Sequence, residues 1–281
     1  MNSIKITGLF VYPVKSMKGI ALRRAQLTDK GLVNDRHWMV VRPNGRFVTQ
    51  RDIPQMSLVH TQLDEEGVVL SRPGHGSIRV PYDLHDGDLI ETRVWGDPCD
   101  TMDQGEEISH WLTQALGSDE PLHLVRMSPG YKRPLAKAAL MSGETTTDFA
   151  DAAPILVANE ASLDRLNSVL ESNALQPVPM DRFRPNIVVQ GLEAFAEHGV
   201  DTLSTEDYQL KLCYPCKRCI VTTINQDTAE KDPQGQPFKT LQSINPVPGE
   251  DKAPAFAENA ILTHGNYECI AVGDELNVIF N

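Results

Sequence analysis

The chain has 281 residues and a net charge of -12 at pH 7. Its apolar fraction of 41% argues for a folded globular protein, and its acidic balance argues against a binder of duplex nucleic acid. No apolar run reaches the roughly 18 residues of a membrane-spanning helix, and residues 1–7 hold no apolar signal core. We therefore expect a cytoplasmic protein with no nucleic-acid or membrane partner.

Short strands dominate the first part of the chain. Their close spacing, with turn residues between them, favours a barrel or a sandwich. The clearest turn is Pro43-Asn44-Gly45, because Asn and Gly tolerate positive φ and so predict a hairpin. The predicted strands cover residues 4–12, 38–41, 46–49, 68–70, 78–80 and 89–95.

A helix over residues 108–116 follows these strands, since its apolar residues recur at helical spacing. Asp103 and Glu106 are predicted to cap its start, and Gly117 to end it. A short strand at 122–125 comes next, and the domain boundary is expected near it. The predicted domains are residues 1–125, a β-barrel-like unit, and residues 126–281, which pack on it.

The second part of the chain is also mostly strand. A helix over 163–170, capped by Asn159, lies between two apolar strands. Residues 231–258 contain five prolines and two glycines and are predicted to form a long loop, which is usually functional or mobile. The fold class is therefore α+β, predominantly β, with a few short helices. The predicted strands of this part are 155–157, 187–189, 208–213, 220–224 and 269–280.

Three of the five cysteines lie together as Cys213-x2-Cys216-x2-Cys219. An odd number of cysteines in a chain of this length argues against a disulfide scaffold. A zinc or iron–sulfur centre needs four ligands, and the other two cysteines, Cys99 and Cys269, are isolated. A redox pair of Cys216 and Cys219 stays open as an alternative, although the usual βαβ context is missing.

Cys219 differs from its neighbours because Lys217 and Arg218 directly precede it. Nearby cations lower the pKa of a thiol and favour the thiolate, which binds metals or attacks electrophiles. The alternative is that Cys219 is a small buried residue at the start of a strand.

Basic residues at predicted strand ends form a second group. In an acidic chain, a pocket built from them would suit a phosphate or another small anion, although each alone could be a solvated surface cation. Asp151 and Asn186 each precede an apolar strand and could bind the edge of a heterocycle or cap a turn. The basic residues concerned are Lys15, Lys18, Arg36, Arg182 and Arg184.

Five short motifs resemble those of MOSC proteins that carry an N-terminal MOSC β-barrel domain. This family includes the mitochondrial amidoxime reducing component and bacterial proteins that detoxify N-hydroxylated purines. The matches run from about Leu9 to the C-terminus in the family's order. They are Tyr12-Pro-Val-Lys-Ser16, Asp35-Arg36-His-Trp38, Val48-Thr-Gln-Arg51, Phe183-Arg-Pro-Asn186 and Cys216-Lys-Arg-Cys219 followed by Thr222-Thr223.

The resemblance implies a molybdenum cofactor, a pterin with a terminal phosphate whose dithiolene sulfurs hold molybdenum. By the same resemblance, Cys219 is the protein ligand to the metal, and Cys219 and Arg218 are the catalytic residues. The residues expected by this resemblance to cradle the pterin and its phosphate are Lys15, Ser16, Arg36, Asp151, Arg184 and Asn186. Lys217, which differs from the family pattern, is expected to bind the cofactor by adding positive charge beside the metal.

The activity implied is reduction of small N-hydroxylated substrates by removal of oxygen, with electrons from a separate flavin or iron–sulfur reductase. The 231–258 segment is a candidate contact surface for that reductase. The alternatives are a carrier of the cofactor or of sulfur, and a β-barrel binding protein with structural cysteines. Two departures from the family pattern stand out: Lys217 replaces a small residue, and Ala229 replaces the glycine of an Asp-Pro-x-Thr-Gly turn.

Overall fold

The computed structural model describes residues 3–83, 87–133, 135, 137–141 and 145–281. As predicted, the fold is mostly β. Its strands are β1 (Ser3–Val11), β2 (Ile20–Leu22), β3 (Arg24–Thr28), β4 (Gly31–Leu32), β5 (Trp38–Val41), β6 (His60–Leu63), β7 (Gly67–Ser71), β8 (Ser77–Pro81), β9 (Leu89–Val94), β10 (Asp97–Asp103), β11 (His123–Met127), β12 (Ile155–Asn159), β13 (Ile187–Gln190), β14 (Val200–Ser204), β15 (Gln209–Lys217), β16 (Pro246–Val247), β17 (Glu250–His264), β18 (Cys269–Ala271) and β19 (Glu275–Phe280).

The helices are few and short. Among the described residues, none is long and apolar enough to cross a membrane. The α-helices are α1 (Glu106–Leu116), α2 (Glu160–Ser172) and α3 (Phe238–Ile244), and the 3₁₀ turns are Pro54–Leu58, Ala138–Leu140, Met180–Phe183, Ala196–Gly199 and Ile220–Thr223.

Seven strands close into a barrel in the order β12-β13-β1-β19-β14-β15-β17, with β17 pairing back to β12. Within the closed ring, β12 and β13 are parallel and the other neighbours are antiparallel. The strands alternate between the core and the outside, as Ile4 and Ile6 are buried while Lys5 between them is exposed. A single apolar core therefore fills the barrel.

The first strand belongs to this barrel. β1 pairs with β13 on one side, at Leu9 with Ile187, and with β19 on the other, at Ile4 with Leu276. The sequence-based division assigns the same residues to the N-terminal unit. The two units therefore share one sheet, although their other strands are separate in sequence.

Apart from β2 and β16, which pair with β1 and β17 of the barrel, the remaining strands form three smaller sheets, and the two larger ones make a half-barrel around a second core. One sheet has the order β5-β11-β10-β9 and another the order β6-β7-β8, while β18-β3-β4 form a small third sheet. The core between the two larger sheets includes the fully buried Trp38, with α1 packed on it through Leu112. The segments that follow β1 and β5 lie in this unit and extend to the barrel.

Both predicted long helices form, but only one of them is capped as predicted. Asn159 caps α2 as predicted, because its side chain accepts a hydrogen bond from the backbone N–H of Ala161. The predicted capping pair of Asp103 and Glu106 is wrong, because Gly105 is the N-cap of α1 and no side chain caps it. Asp103 instead accepts from the N–H of Gly105, which has φ 101°.

The predicted loop over 231–258 is wrong. The segment holds α3, β16 and the first half of β17. Its prolines fit regular structure because Pro237 is the N-cap of α3, where a missing N–H costs nothing, and Pro246 begins the short β16. This segment is therefore ordered structure rather than a free docking loop.

Two predicted strands also fail to form. Residues 46–49 make only isolated bridges, at Arg46 and Phe47. Residues 220–223 form a 3₁₀ turn after Cys219. The nearby turn with the missing glycine still forms, since Ala229 adopts φ 61° and its N–H bonds to the carbonyl of Asn225.

Asn159→Ala is expected to lower the free energy of unfolding by about 2–4 kcal/mol, because it removes a helix cap and a donor to a buried carboxylate. The Asn159 amide also donates to Glu197, which is completely buried. Urea unfolding followed by circular dichroism measures the loss. Asn173→Ala, at the exposed end of α2, is the control and should change stability by less than about 0.5 kcal/mol.

Candidate functional site

A cleft with a cavity volume of about 120 Å³ lies where the loops after β1 and before β12 and β13 meet the end of β15. Residues from the half-barrel complete it. Its lining is Lys15, Ser16, Arg36, Thr49, Arg51, Phe149, Ala150, Asp151, Ala152, Ala153, Leu156, Phe183, Arg184, Asn186, Cys216, Arg218, Cys219, Val221 and Asn259.

Eight of the nine residues predicted for the site line this cleft. The exception is Lys217, whose ammonium pairs with Glu250 on the exposed start of β17. Cys216 and Arg218 flank it in sequence and face the cleft, so the alternation of a strand turns Lys217 away. The prediction that Lys217 contributes to the site is therefore not supported by its position.

Lys15 is the most buried cation of the cleft, with 5% of its surface exposed. Its Nζ donates to the carbonyl of Phe149 at 2.7 Å and forms an ion pair with Asp151. Burial lowers the pKa of Lys15, and the Asp151 carboxylate opposes this effect. Desolvation within the cleft works against ionisation of Asp151, but the Lys15 ammonium holds the pKa of that carboxyl well below its usual range.

Asp151→Asn is expected to lower the unfolding temperature at pH 7, because the buried Lys15 loses its counter-ion. Since the folded-state pKa of Asp151 lies below its unfolded value of about 3.9, the stabilisation is present above that value. It is lost as the pH falls through the folded pKa. Thermal unfolding from pH 7 down to pH 2 should therefore show the two proteins converging in acid, whereas a constant difference would contradict this account.

Arg36 and Arg184 both lie over the ring of Tyr12, with guanidinium carbons 4.3 and 4.2 Å from its centroid. The Asp35 carboxylate accepts a hydrogen bond from Arg36 at 2.6 Å. Burial acts to lower the pKa of Arg36, but the negative charges around it, Asp35 first, raise that pKa overall. Burial lowers the pKa of Arg184 to about 10. Arg184 donates from Nη1 to the carbonyl of Met17, while its buried Nη2 has no hydrogen-bond partner in the described part of the chain.

Asn186 forms hydrogen bonds to three separate parts of the cleft. Its Oδ1 accepts from Arg36 at 3.0 Å and from the N–H of Leu156 at 3.1 Å, and its Nδ2 donates to the carbonyl of Phe10. The side chain is 1% exposed. Its amide therefore joins β1, β12 and Arg36, and it positions the guanidinium.

The cysteines separate into different environments. Cys219 is exposed, which overturns the alternative of a buried strand residue, and Cys216 lies beside it in the cleft. Arg218 donates from Nη1 to the Cys216 sulfur at 3.0 Å and from Nη2 to the carbonyl of Phe183. Cys213 lies outside the cleft lining, and burial raises the pKa of its thiol to about 11.

Three residues of the site were not predicted from the sequence. Arg133 is 1% exposed and donates to the carbonyls of Asp148 and Ala150, so it fixes the loop that carries Asp151. Trp95 donates from Nε1 to Asp151 at 2.9 Å, and Arg51 lies over its ring. Arg51 ends a family motif and gave a signal, whereas nothing near Arg133 or Trp95 in the sequence marks a site.

The cleft is strongly cationic in an acidic chain. Lys15, Arg36, Arg51, Arg184 and Arg218 line it against the single carboxylate of Asp151. Guanidinium groups match phosphate oxygens in geometry and charge. Within the described ranges, no group of three or more His, Cys, Asp or Glu side chains is placed to hold a metal ion. The arrangement therefore suits a small phosphate-bearing anion beside a single exposed thiol.

Residues 3–119 match the family described as the MOSC N-terminal beta barrel domain, and residues 144–277 match the MOSC domain. Human mitochondrial amidoxime-reducing component 1 is 33% identical over 98% of this chain and 82% of its own length. Rat mitochondrial amidoxime reducing component 2 is 34% identical over 85% of this chain and 71% of its own length. Bovine molybdenum cofactor sulfurase is 31% identical over 83% of this chain and 28% of its own length.

Proposed function

Since this chain belongs to the MOSC proteins that carry a MOSC N-terminal β-barrel domain, we propose that it binds a molybdenum cofactor and reduces N-hydroxylated substrates. The observation that carries the proposal is the convergence of Lys15, Arg36 and Arg184, from distant parts of the chain, on the cleft that exposes Cys219. The names of the relatives support the substrate class, because two of them are amidoxime-reducing components.

The donor set of the cleft fits such a cofactor. The buried Nη2 of Arg184 and Nε of Arg218 have no partners among the described residues, and a buried N–H without a partner is costly. Phosphate oxygens of a pterin would satisfy donors of this kind. We assign Lys15, Arg36 and Arg184 to the phosphate and the pterin, Ser16 and Asp151 to polar edges, and the Cys219 thiolate to the metal.

The reaction converts R–NHOH, two electrons and two protons into R–NH₂ and water, and the bound cofactor supplies the electron-transfer chemistry. The protein's side chains bind and orient the reactants. Lys15 is the one lysine among the described residues that line the cleft, and its Nζ pairs with Asp151, so we assign it a proton-holding role next to that carboxylate. Arg218 holds the Cys216 sulfur and the carbonyl of Phe183, which keeps the segment before Cys219 in place.

A cofactor or sulfur carrier is the second candidate. The similarity to a molybdenum cofactor sulfurase and the exposed thiol of Cys219 favour it. A carrier would hold the same group without turnover, so steady reduction of a hydroxylamine excludes it.

Protein purified from a molybdate-supplied host is expected to contain molybdenum and to reduce N-hydroxybenzamidine when dithionite-reduced methyl viologen supplies electrons. With NADH or NADPH alone it should show no turnover, because the sequence has no Gly-x-Gly-x-x-Gly fingerprint for a nicotinamide or flavin. A separate flavin or iron–sulfur reductase should then restore activity. Metal analysis and product chromatography make the measurement, and turnover with a nicotinamide alone would contradict the need for a second protein.

A further inference from the structure

Trp95 lies next to the cleft, in contact with its lining residues Asp151 and Arg51, and occupies an unfavourable backbone position. It forms the two-residue turn between β9 and β10 with Gly96, and the two residues have φ values of 54° and 98°. Gly or Asn usually fills such a turn, because bulky side chains rarely adopt positive φ. Strain of this kind persists where surrounding contacts hold it in place, often at functional sites.

Three contacts hold the indole in place. Its Nε1 donates to Asp151 at 2.9 Å, the edge of Phe47 meets it at 5.4 Å, and the guanidinium carbon of Arg51 lies 4.4 Å from its centroid. Both Asp151 and Arg51 line the cleft. The polar tip of the ring is therefore fixed toward the pocket.

The rest of the ring remains open, since 53% of Trp95 is exposed. Trp38 is fully buried by comparison, so the exposure is not shared by every tryptophan of the chain. Arg51 forms no ion pair with any described residue, and among those residues its guanidinium makes one long hydrogen bond, to the hydroxyl of Thr49 at 3.3 Å. The guanidinium of Arg51, which has spare donors, covers one face of the indole, and the rest of the exposed ring lies next to the cleft.

We propose that Trp95 is a specificity-determining residue, whose indole stacks with planar aromatic N-hydroxylated substrates on the face that Arg51 does not cover. The inference rests on the function proposed above and adds the residue that selects among its substrates. Stacking on an aromatic face favours any ligand with a π-system, whereas a small aliphatic group gains little from it. The protein should therefore prefer aromatic over aliphatic substrates, and Trp95 should carry the preference.

The test compares N-hydroxybenzamidine with N-hydroxyacetamidine, which differ by a phenyl and a methyl group, in the cofactor-loaded protein with reduced methyl viologen. Trp95→Leu should lower the ratio of their kcat/KM values about tenfold, through the aromatic substrate. Trp95→Phe should keep most of the ratio, because it retains a ring while losing the N–H donor to Asp151. Trp111→Leu is the matched control, since Trp111 is bound to the carbonyl of His75 away from the cleft.

Binding gives a second readout. N-hydroxybenzamidine should quench the tryptophan fluorescence of the wild type and of Trp111→Phe, and the quenching should vanish in Trp95→Phe. An unchanged ratio in Trp95→Leu, an equal loss for both substrates, or a fall in its molybdopterin content would overturn the inference. If the loaded wild type reduces neither compound, the proposed function fails; persistent quenching in Trp95→Phe would then also reject the stacking role.

Discussion

Cys219→Ser is expected to leave the protein folded and to abolish reduction of N-hydroxylated substrates, with a loss of more than about 100-fold. Even residues that only support a metal ligand typically cost 10–100-fold when replaced, and Cys219 is the residue assigned to the metal itself. It is exposed in the cleft, directly before the 3₁₀ turn at 220–223. Molybdenum content and methyl viologen-driven turnover measure the effect, and near-UV circular dichroism verifies the fold.

Two neighbouring cysteines provide graded controls for this substitution. Cys213→Ser lies outside the cleft lining and should keep nearly full activity. Cys216→Ser replaces the sulfur that accepts from Arg218 with a smaller hydroxyl oxygen, which lengthens this hydrogen bond, and should keep much of the activity at a reduced level. A folded Cys216→Ser protein as inactive as Cys219→Ser would reject the single-ligand assignment in favour of a paired-thiol site.

Arg184→Met should reduce the pterin retained after gel filtration about 10- to 100-fold, because a charge-assisted hydrogen bond to an anion contributes about 1.5–3 kcal/mol. Methionine keeps an apolar stem over Tyr12 but provides no N–H donor. The Nη2 of Arg184, which has no hydrogen-bond partner among the described residues, is the donor whose loss should matter most. Fluorescence of the oxidised pterin released by acid measures the retained cofactor independently of turnover.

The same exchange on the surface separates charge from stability. Arg165 is exposed on α2, so Arg165→Met should retain wild-type pterin content. Inorganic phosphate should also compete with the pterin for the wild-type cleft more strongly than for the Arg184→Met protein. Equal pterin content in both variants would remove Arg184 from the anion site.

Resemblance to the MOSC motifs predicted eight residues that line the cleft, whereas charge and position at strand ends alone did not show that these residues converge. Lys217 is the exception. Its position between Cys216 and Arg218 predicts a site residue, whereas β15 extends through Lys217 and strand alternation points its side chain away from the cleft. Arg133 shows the opposite case: its contacts are backbone carbonyls of residues 148–151, which carry no signal in the sequence.

The proline content of residues 231–258 predicts a loop that does not form. The cost of a proline to regular structure depends on its position: Pro237 is the N-cap of a helix, and Pro246 pairs with Pro254 between β16 and β17. The alternating strands and the capped helix α2 were predictable because local physics alone determines them. Closure of the barrel was not, since pairing of β12 with β17 depends on residues about 100 positions apart.

The place of β1 between β13 and β19 has a consequence for biogenesis. Strand β1 is synthesised before its barrel partners at residues 187–190 and 275–280, so the barrel closes only after those residues have been made. Until then β2 can pair only with Leu9–Val11, and the hydrogen-bonding edges of the rest of β1 are open to wrong partners. Chaperone binding near residues 3–11 during synthesis would protect this strand. A fragment beginning at residue 144 would lack β1, the strand that completes the barrel.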